Sequence, residues 1–328
     1  MTFLRIEHPP IYIIAEVGSN FDGKLSQAKR LIDVAAEAKA NAVKFQLFRA
    51  DVLYPDKNQP VHSSVKNCEL PREWLGELMA YSKSANVDFL ATPFDSDAIS
   101  VLESAGVKAY KWGSSETTNH RLLLQAARTG KPVYLSTGMC TMADIAEAVE
   151  ILDANGCSAV TILHCYAVYP TPYEDAHLRV MDTLRHAFHK PVGFSDHSLG
   201  IALPIAAAAL GATVIEKHFT LDRSLKGPDH SYALEPHELK DMVAQIRNVE
   251  KALGSPEKRM HPDEIAWGRR DGIYAKRSIK KGQAISADDI LAQRPATSLA
   301  ARYRASVIGM VAKFDQDPGS PIHWRDVE

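Results

Sequence analysis

Residues 192–220, VGFSDHSLGIALPIAAAALGATVIEKHFT, read as strand, helix, strand. The runs PVGFSD at 191–196 and ATVIEKHFT at 212–220 are short, apolar and β-rich. IALPIAAAAL between them has the character of a helix packed on a sheet. Two strands joined by a helix imply parallel pairing. Each strand also ends on a histidine, His197 and His218, at the same point of consecutive units.

Working outward, the rhythm recurs. IYIIAEVG at 11–18 precedes SQAKRLIDVAAEAKA at 26–40, where Leu31, Ile32, Ala35 and Ala36 share one helical face. AVKFQLF at 42–48 follows, then a long polar insert and a helix around 71–85. VDFLATPF at 87–94, VKAYKWGS at 107–114, PVYLSTG at 132–138 and AVTILHC at 159–165 complete the set. Eight candidate strands, each followed by a plausible helix in about 240 residues, fit an α/β fold of the (β/α)8 TIM-barrel type. A doubly wound open sheet is the competing arrangement, and the lack of a GxGxxG after the first strand weighs against it.

The chain has 328 residues, 45% hydrophobic and 24% charged, with a formal net charge of −2. That composition is ordinary for a soluble globular protein and gives no bulk attraction to nucleic acid or membrane. Cys68, Cys140, Cys157 and Cys165 form no CxxC pair, which argues against a structural zinc or a disulfide framework and suits the reducing cytoplasm. MTFLRIEHPP at the start has no apolar core of signal-peptide length, and the apolar run 201–215 is too short to span a bilayer.

Past residue 250 the rhythm changes. The expected division is a barrel over 1–255, a linker over 256–270, where ALGSPEKRM precedes HPDE, and a small β-rich domain over 271–328. Its strand-like pieces are GIYAKRSI, QAIS, ASVIGMVA and PIHW, parted by turn signals such as KKG and DPG. A core this small is expected to lean on another surface.

Chemistry in such a barrel sits where the strands end. Collected there are Glu16; Lys44 and Gln46; Thr92; Lys111, Ser114 and Glu116; Ser136 and Thr137; His164; Ser195, Asp196 and His197; and Glu216, Lys217 and His218. A polar residue at one strand end is commonly a helix cap or loop contact. Eight in register, with lysines inside apolar strands, ask for more, because a buried ammonium needs a counter-charge. An anionic ligand at the mouth would supply it. The lysines, the hydroxyls at 92, 114 and 136 and the turns GSS and STG suit phosphate or carboxylate. Two histidines at neighbouring strand ends suit one divalent metal. The competing readings are an Asp-His helix cap at His197 and a satisfied core histidine at His218.

The order IIAEVGSN, VKFQLF, ATPF, YKWGSSE, LSTGM, HCYAVYPTPYED, GFSDHSLG, EKHFTLDRSLKGPDHSYALEP and KRSIKKGQAIS with QRP resembles the sialic acid synthase family along nearly the whole chain. The resemblance implies a TIM barrel plus a C-terminal antifreeze-like SAF domain (a β-clip). The implied reaction condenses phosphoenolpyruvate with an N-acyl hexosamine such as N-acetylmannosamine. It also implies a domain-swapped homodimer. On it, His197 and His218 would bind Mn²⁺ or Mg²⁺. Lys44, Thr92, Lys111, Ser114, Ser136 and Ser195 would hold phosphoenolpyruvate. Glu16 and Glu116 would be catalytic. Gln46, Tyr169 and Asp229 would face the sugar, and Arg294 would reach its acyl group from the partner subunit.

Three positions depart from the family pattern: Phe21 where His is frequent, Ala167 where Ser or Asn is common, and RPATSLA in place of an RPGxG turn. They leave open a legionaminic, pseudaminic or spore-coat type of acceptor; GPDH followed by SYALEP reads more like the sialic and legionaminic branches. Two other classes stay in view. A class I aldolase would form a Schiff base on Lys44 or Lys111 without metal. A non-catalytic antifreeze-type protein would need a regular flat surface, and 271–328 shows no repeat that builds one.

Overall fold

The computed structural model describes residues 9–328; most of the N-terminal stretch read above lies outside the described residues. The described chain divides into two compact units, parted between Gly254 and Ser255.

The first unit holds eight parallel strands: β1 (Tyr12–Glu16), β2 (Ala42–Leu47), β3 (Asp88–Pro93), β4 (Tyr110–Trp112), β5 (Val133–Ser136), β6 (Val160–Cys165), β7 (Val192–Asp196) and β8 (Val214–His218). They are ordered β3-β2-β1-β8-β7-β6-β5-β4. Each strand precedes a helix: α1 (Leu25–Glu37), α2 (Leu75–Ser84), α3 (Ser96–Ala105), α4 (His120–Ala127), α5 (Met142–Ala154), α6 (Val180–Phe188), α7 (Ala202–Ala209) and α8 (Pro236–Leu253). This is the (β/α)8 barrel rather than an open doubly wound sheet, because β1 pairs with both β2 and β8 and so joins the first strand to the last. Local signals set the helix ends. Asp95 accepts a hydrogen bond from Ala98 N at 2.7 Å to start α3, and Gly106, at φ 77, ends it. Thr141 and Asp144 form a capping box on α5. The polar insert between β2 and α2 contains short helices, Ala50–Leu53 and Pro60–Lys66.

Strand period decides which side chains enter the barrel. Ile14, Ala42, Leu90, Ala109, Leu163 and Val214 form one apolar layer inside it, with Tyr12 and Tyr134 stacked beneath at 5.6 Å. The intervening residues, Ile13, Val43, Phe45, Phe89, Ile162 and Ile215 among them, join the larger core that carries the helices. The inner layer is an apolar plug below the C-terminal ends of the strands, where the site of such a barrel lies. Gly193 makes room in it: a Cβ there would meet Val214 O at 2.4 Å and Leu163 Cδ2 at 2.6 Å.

In the second unit, β9 (Gly272–Ala275) pairs antiparallel with β10 (Ile290–Gln293) around a core that includes Ile273, Ile279, Ile285, Ile290, Val307 and Ile322. The pieces expected as strands differ in detail. QAIS and ASVIGMVA meet in a single bridge, Ala284 to Val311, and Arg304–Val307 is a helical turn. Turns at Gly282, Gly309 and Gly319, all at positive φ, interrupt the chain before longer ladders can form. A helix, Pro262–Trp267, occupies part of the stretch expected to be linker.

Candidate active site

Immediately above the apolar plug, the same strand faces turn polar. Glu16, Lys44, Thr92, Lys111, Ser136, Cys165, Ser195 and Glu216 are all buried there. The lysines meet carboxylates within the chain, where the sequence suggested a ligand. Lys44 Nζ lies 3.1 Å from Glu16 Oε1 and 3.6 Å from Glu216 Oε2, and Lys111 Nζ lies 3.2 Å from Glu216 Oε1. Lys44 also donates to Thr92 Oγ1 at 3.1 Å, Ser195 to Glu216 Oε1 at 2.8 Å, and Gln46 to Glu16 Oε1 at 2.7 Å.

Glu216 is therefore the hub of the layer, although among the strand-end residues it had drawn no role. The signal was present: Glu216 shares strand parity with His218, so both had to face inward. Parity also corrects His164, gathered with the strand-end residues. It points outward, donates from Nε2 to Ala176 O at 2.8 Å and stacks on Phe194. Cys165 takes the inward place on β6, with Sγ 3.8 Å from His197 Nδ1.

The electrostatics follow from burial and partners. Burial pushes the Glu16 carboxyl up, and Lys44 only partly opposes it. Burial would also raise Glu216, but Lys111 and Lys44 together outweigh it and hold Glu216 well below the ordinary carboxylate range. Burial lowers Lys111, which Glu216 counters only in part. Lys44 goes up because its two carboxylates exceed the burial cost. Two ammoniums thus face one firmly ionised carboxylate, Glu216, and one whose ionisation burial opposes, Glu16. Glu16 Oε2, Glu216 Oε2 and Ser136 Oγ are buried without a hydrogen-bond partner, so the cradle has free polar atoms on its inner wall.

One level higher stand the histidines, their ring centroids 5.4 Å apart. His197 donates from Nδ1 to Tyr166 O at 2.9 Å, which leaves Nε2 as a lone-pair donor. His218 is buried, its Nδ1 has no partner, and burial pushes the ring down to about 4, so it stays neutral and able to ligate. Asp196 bonds Ser198 and Lys217 rather than His197, and His218 Nδ1 has no hydrogen-bond partner. Among the described residues, no group of three or more His, Cys, Asp or Glu is placed to hold a metal. The pair fits a divalent ion whose other positions go to substrate or water.

Asp229 closes one side. It accepts from Ser19 N and Oγ, both at 2.8 Å, and from Tyr232 OH at 2.6 Å. Gly18, at φ +55, is required beneath it, since a Cβ would sit 2.5 Å from Asp229 Oδ2 and 3.0 Å from His218 Cε1. His230, wholly buried, ties the same loop down through Thr220 Oγ1 at 2.6 Å and Asp22 Oδ1 at 2.9 Å. Tyr169 packs its ring 4.2 Å from His197 while half exposed. On the far wall, Ser114 Oγ accepts from Gly138 N at 2.9 Å, and burial raises the Glu116 carboxyl beside it. Phe21 is no part of the mouth: it packs in the core against Phe45 and Trp74. Ala167 lies where a Cβ on Gly138 would touch it at 3.2 Å, at the rim. Arg294 belongs to the second unit, exposed and paired with Asp271 at 3.0 Å.

Fold and site together define a (β/α)8 enzyme with buried lysine–carboxylate pairs at the strand ends and a small β-rich companion unit. The chain belongs to the NeuB family, whose model matches residues 31–258; a SAF domain model matches 270–328. It is 39% identical to N,N'-diacetyllegionaminic acid synthase of Campylobacter jejuni, over 92% of this chain and 95% of that one. It is 41% identical to the spore coat polysaccharide biosynthesis protein SpsE of Bacillus subtilis, over 87% of this chain and 84% of that one. Among solved structures it resembles N-acetylneuraminic acid (sialic acid) synthetase from Leptospira borgpetersenii in complex with citrate. The TM-score is 0.75 at 36% identity, covering 80% of this chain and 94% of that one.

Proposed function

We propose that this chain is a nonulosonic (sialic-type) acid synthase, which condenses phosphoenolpyruvate with an N-acyl hexosamine and releases phosphate. The observation that carries the reading is the inner layer, where Lys44 and Lys111 share one ionised carboxylate, Glu216, and the Ser136 hydroxyl is buried without a partner. Lys44, Lys111, Thr92, Ser114, Ser136 and Ser195 hold the phosphate and carboxylate of phosphoenolpyruvate, and the free Ser136 hydroxyl donates to it. Gln46, Tyr169 and Asp229 orient the open-chain sugar above. His197 and His218 would hold a divalent ion, Mn²⁺ or Mg²⁺, which would supply Lewis-acid polarisation of the sugar aldehyde.

C3 of phosphoenolpyruvate forms the new bond to the aldehyde carbon, whose oxygen takes a proton to become a hydroxyl; water adds at C2, and the C–O bond to phosphate breaks as the C2 ketone forms. A carboxylate must take the water proton. Glu16 and Glu116 are the candidates, each raised by burial toward the range that suits base work. The likeness to legionaminic and sialic acid synthases supports an acceptor among N-acetylated amino sugars. A pseudaminic or spore-coat type sugar is the alternative acceptor. The barrel over 1–255, the linker over 256–270 and the SAF domain over 271–328 form the working division, in a domain-swapped homodimer of the cytoplasm. Four free cysteines accord with that compartment.

The test is phosphate release from phosphoenolpyruvate with Mn²⁺, with and without EDTA, across N-acetylmannosamine, its 6-deoxy diacetamido analogues and free mannose. Release with one N-acyl sugar that EDTA abolishes is expected. No release with any sugar from folded, metal-loaded protein refutes the reading. The lowered Lys111 favours one rival, a Schiff-base aldolase. Borohydride reduction with substrate traps a lysine adduct only in that case.

A further inference from the structure

Three successive residue pairs link β7 to β8 as the barrel opens. In register, Phe194 faces Ile215, Ser195 faces Glu216 and Asp196 faces Lys217. Ser195 and Glu216 point inward and bond each other at 2.8 Å. Phe194 and Ile215 point outward, into the apolar core under the helices. Asp196 and Lys217 share that outward face, yet they are a carboxylate and an ammonium, each 1% exposed and 2.5 Å apart.

An ion pair in that place is not explained by stability. Desolvating two charges costs several kcal/mol per ion, and apolar residues of similar bulk commonly serve as well or better. The geometry is more specific than a pair. Asp196 Oδ1 accepts from Ser198 N at 2.9 Å and Oδ2 from Ser198 Oγ at 3.0 Å, while Lys217 Nζ also donates to Ser198 O. Residues 196 and 198 are thereby bound to each other on both sides of His197. The ammonium that binds them belongs to the residue directly before His218.

We infer that Asp196, Lys217 and Ser198 form a buried clamp that sets the spacing and aim of His197 and His218, and so tunes the affinity of the site for its divalent ion. The inference rests on the proposal that these histidines hold the metal. The clamp touches neither metal nor substrate; it positions the residues that do, as outer partners of ligating histidines do elsewhere.

The experiment measures Mn²⁺ binding to the full chain from the free-ion EPR signal, beside thermal melting. The proteins are wild type, Lys217→Met, Lys217→Arg, the double Asp196→Leu/Lys217→Met, and the controls His197→Ala and His218→Ala. Lys217→Met, which strands a buried carboxylate, is expected to melt early. The double variant is expected to melt near wild type, because an apolar pair replaces the ion pair. Its Mn²⁺ affinity is nonetheless expected to fall about 10–100-fold, with Lys217→Arg recovering part of the loss. A folded double variant that binds Mn²⁺ within about threefold of wild type overturns the clamp, since losing the groups that position ligating histidines costs about 10-fold or more in affinity. If the histidine variants bind Mn²⁺ as wild type does, the metal proposal fails and the clamp falls with it. Loss in the histidine variants but not in the clamp variants refutes the clamp alone.

Discussion

Glu16 and Glu216 are two carboxylates on one lysine, and the difference between them is a matter of neighbours. Glu216 has Lys111 as well, and stays ionised; Glu16 has mainly burial, and rises. Replacing Glu16 with Gln keeps the shape and the bond to Gln46 while removing the base. Turnover is expected to fall about 10²–10⁴-fold with phosphoenolpyruvate affinity nearly intact. Steady-state rates beside calorimetric titration check this, and near-wild-type turnover removes Glu16 from the chemistry and leaves Glu116. Glu216→Gln leaves Lys111 without its carboxylate and Lys44 with Glu16 alone, and is expected to cost about 3–5 kcal/mol of unfolding free energy. Phosphoenolpyruvate should restore part of that loss by supplying the missing negative charge. A denaturant titration with and without ligand that shows no such recovery argues against an anion site at the lysines. The lysines and histidines were legible in the sequence because each is conspicuous in an apolar strand. The role of Glu216 was not, because a counter-ion is defined by distance across the barrel, between β8 and two strands far from it in the chain.

At the scale of the element, the strand's two-residue period converts a linear list into an inside and an outside. It puts Glu216 and His218 in the mouth and Lys217 behind it, and it takes His164 out of the site. The same period sends Gly193 inward, against the backbone of β8. Gly193→Ala is expected to destabilise the barrel by about 1–3 kcal/mol, the usual cost of overpacking. An unchanged denaturation midpoint would mean the strands have slack that the packing denies. In the second unit, Asp289 is buried and accepts from Ser286 N and Oγ, both at 2.7 Å, and from Arg277 Nε at 2.6 Å. The Ser286 hydroxyl and amide, with Arg277, hold its carboxyl down to about 2. Because the folded pKa is depressed, its contribution is complete above the ordinary Asp range near 4 and disappears as pH falls through about 2. Melts between pH 2 and 5 should show wild type losing stability with acid, while Asp289→Asn starts lower and loses less. Parallel profiles for the two proteins would show that this carboxylate carries no acid dependence.

For the whole molecule, the proposal assigns Arg294 of one subunit to the mouth of the other. Mixing tests it. Glu16→Gln and Arg294→Ala proteins, each impaired alone, are expected to regain activity when unfolded and refolded together. In a swapped dimer, one intact barrel then meets one intact Arg294. No recovery from a mixture shown by light scattering to contain dimers would place Arg294 in its own subunit or outside the reaction.

The sequence by itself determined the repeating strand and helix units, the barrel they build, the change of character past residue 250, and the lysines and histidines around which the site forms. These depend on local period and on residue type, which a single chain displays directly. Tertiary structure alone decided that Glu216 is shared by Lys44 and Lys111, that Phe21 belongs to the core, and that Asp196 and Lys217 close behind the two histidines. Each of these is a relation between segments distant in the chain, set by strand register and barrel closure, and a one-residue slip of that register would turn the paired side chains to opposite faces of the sheet.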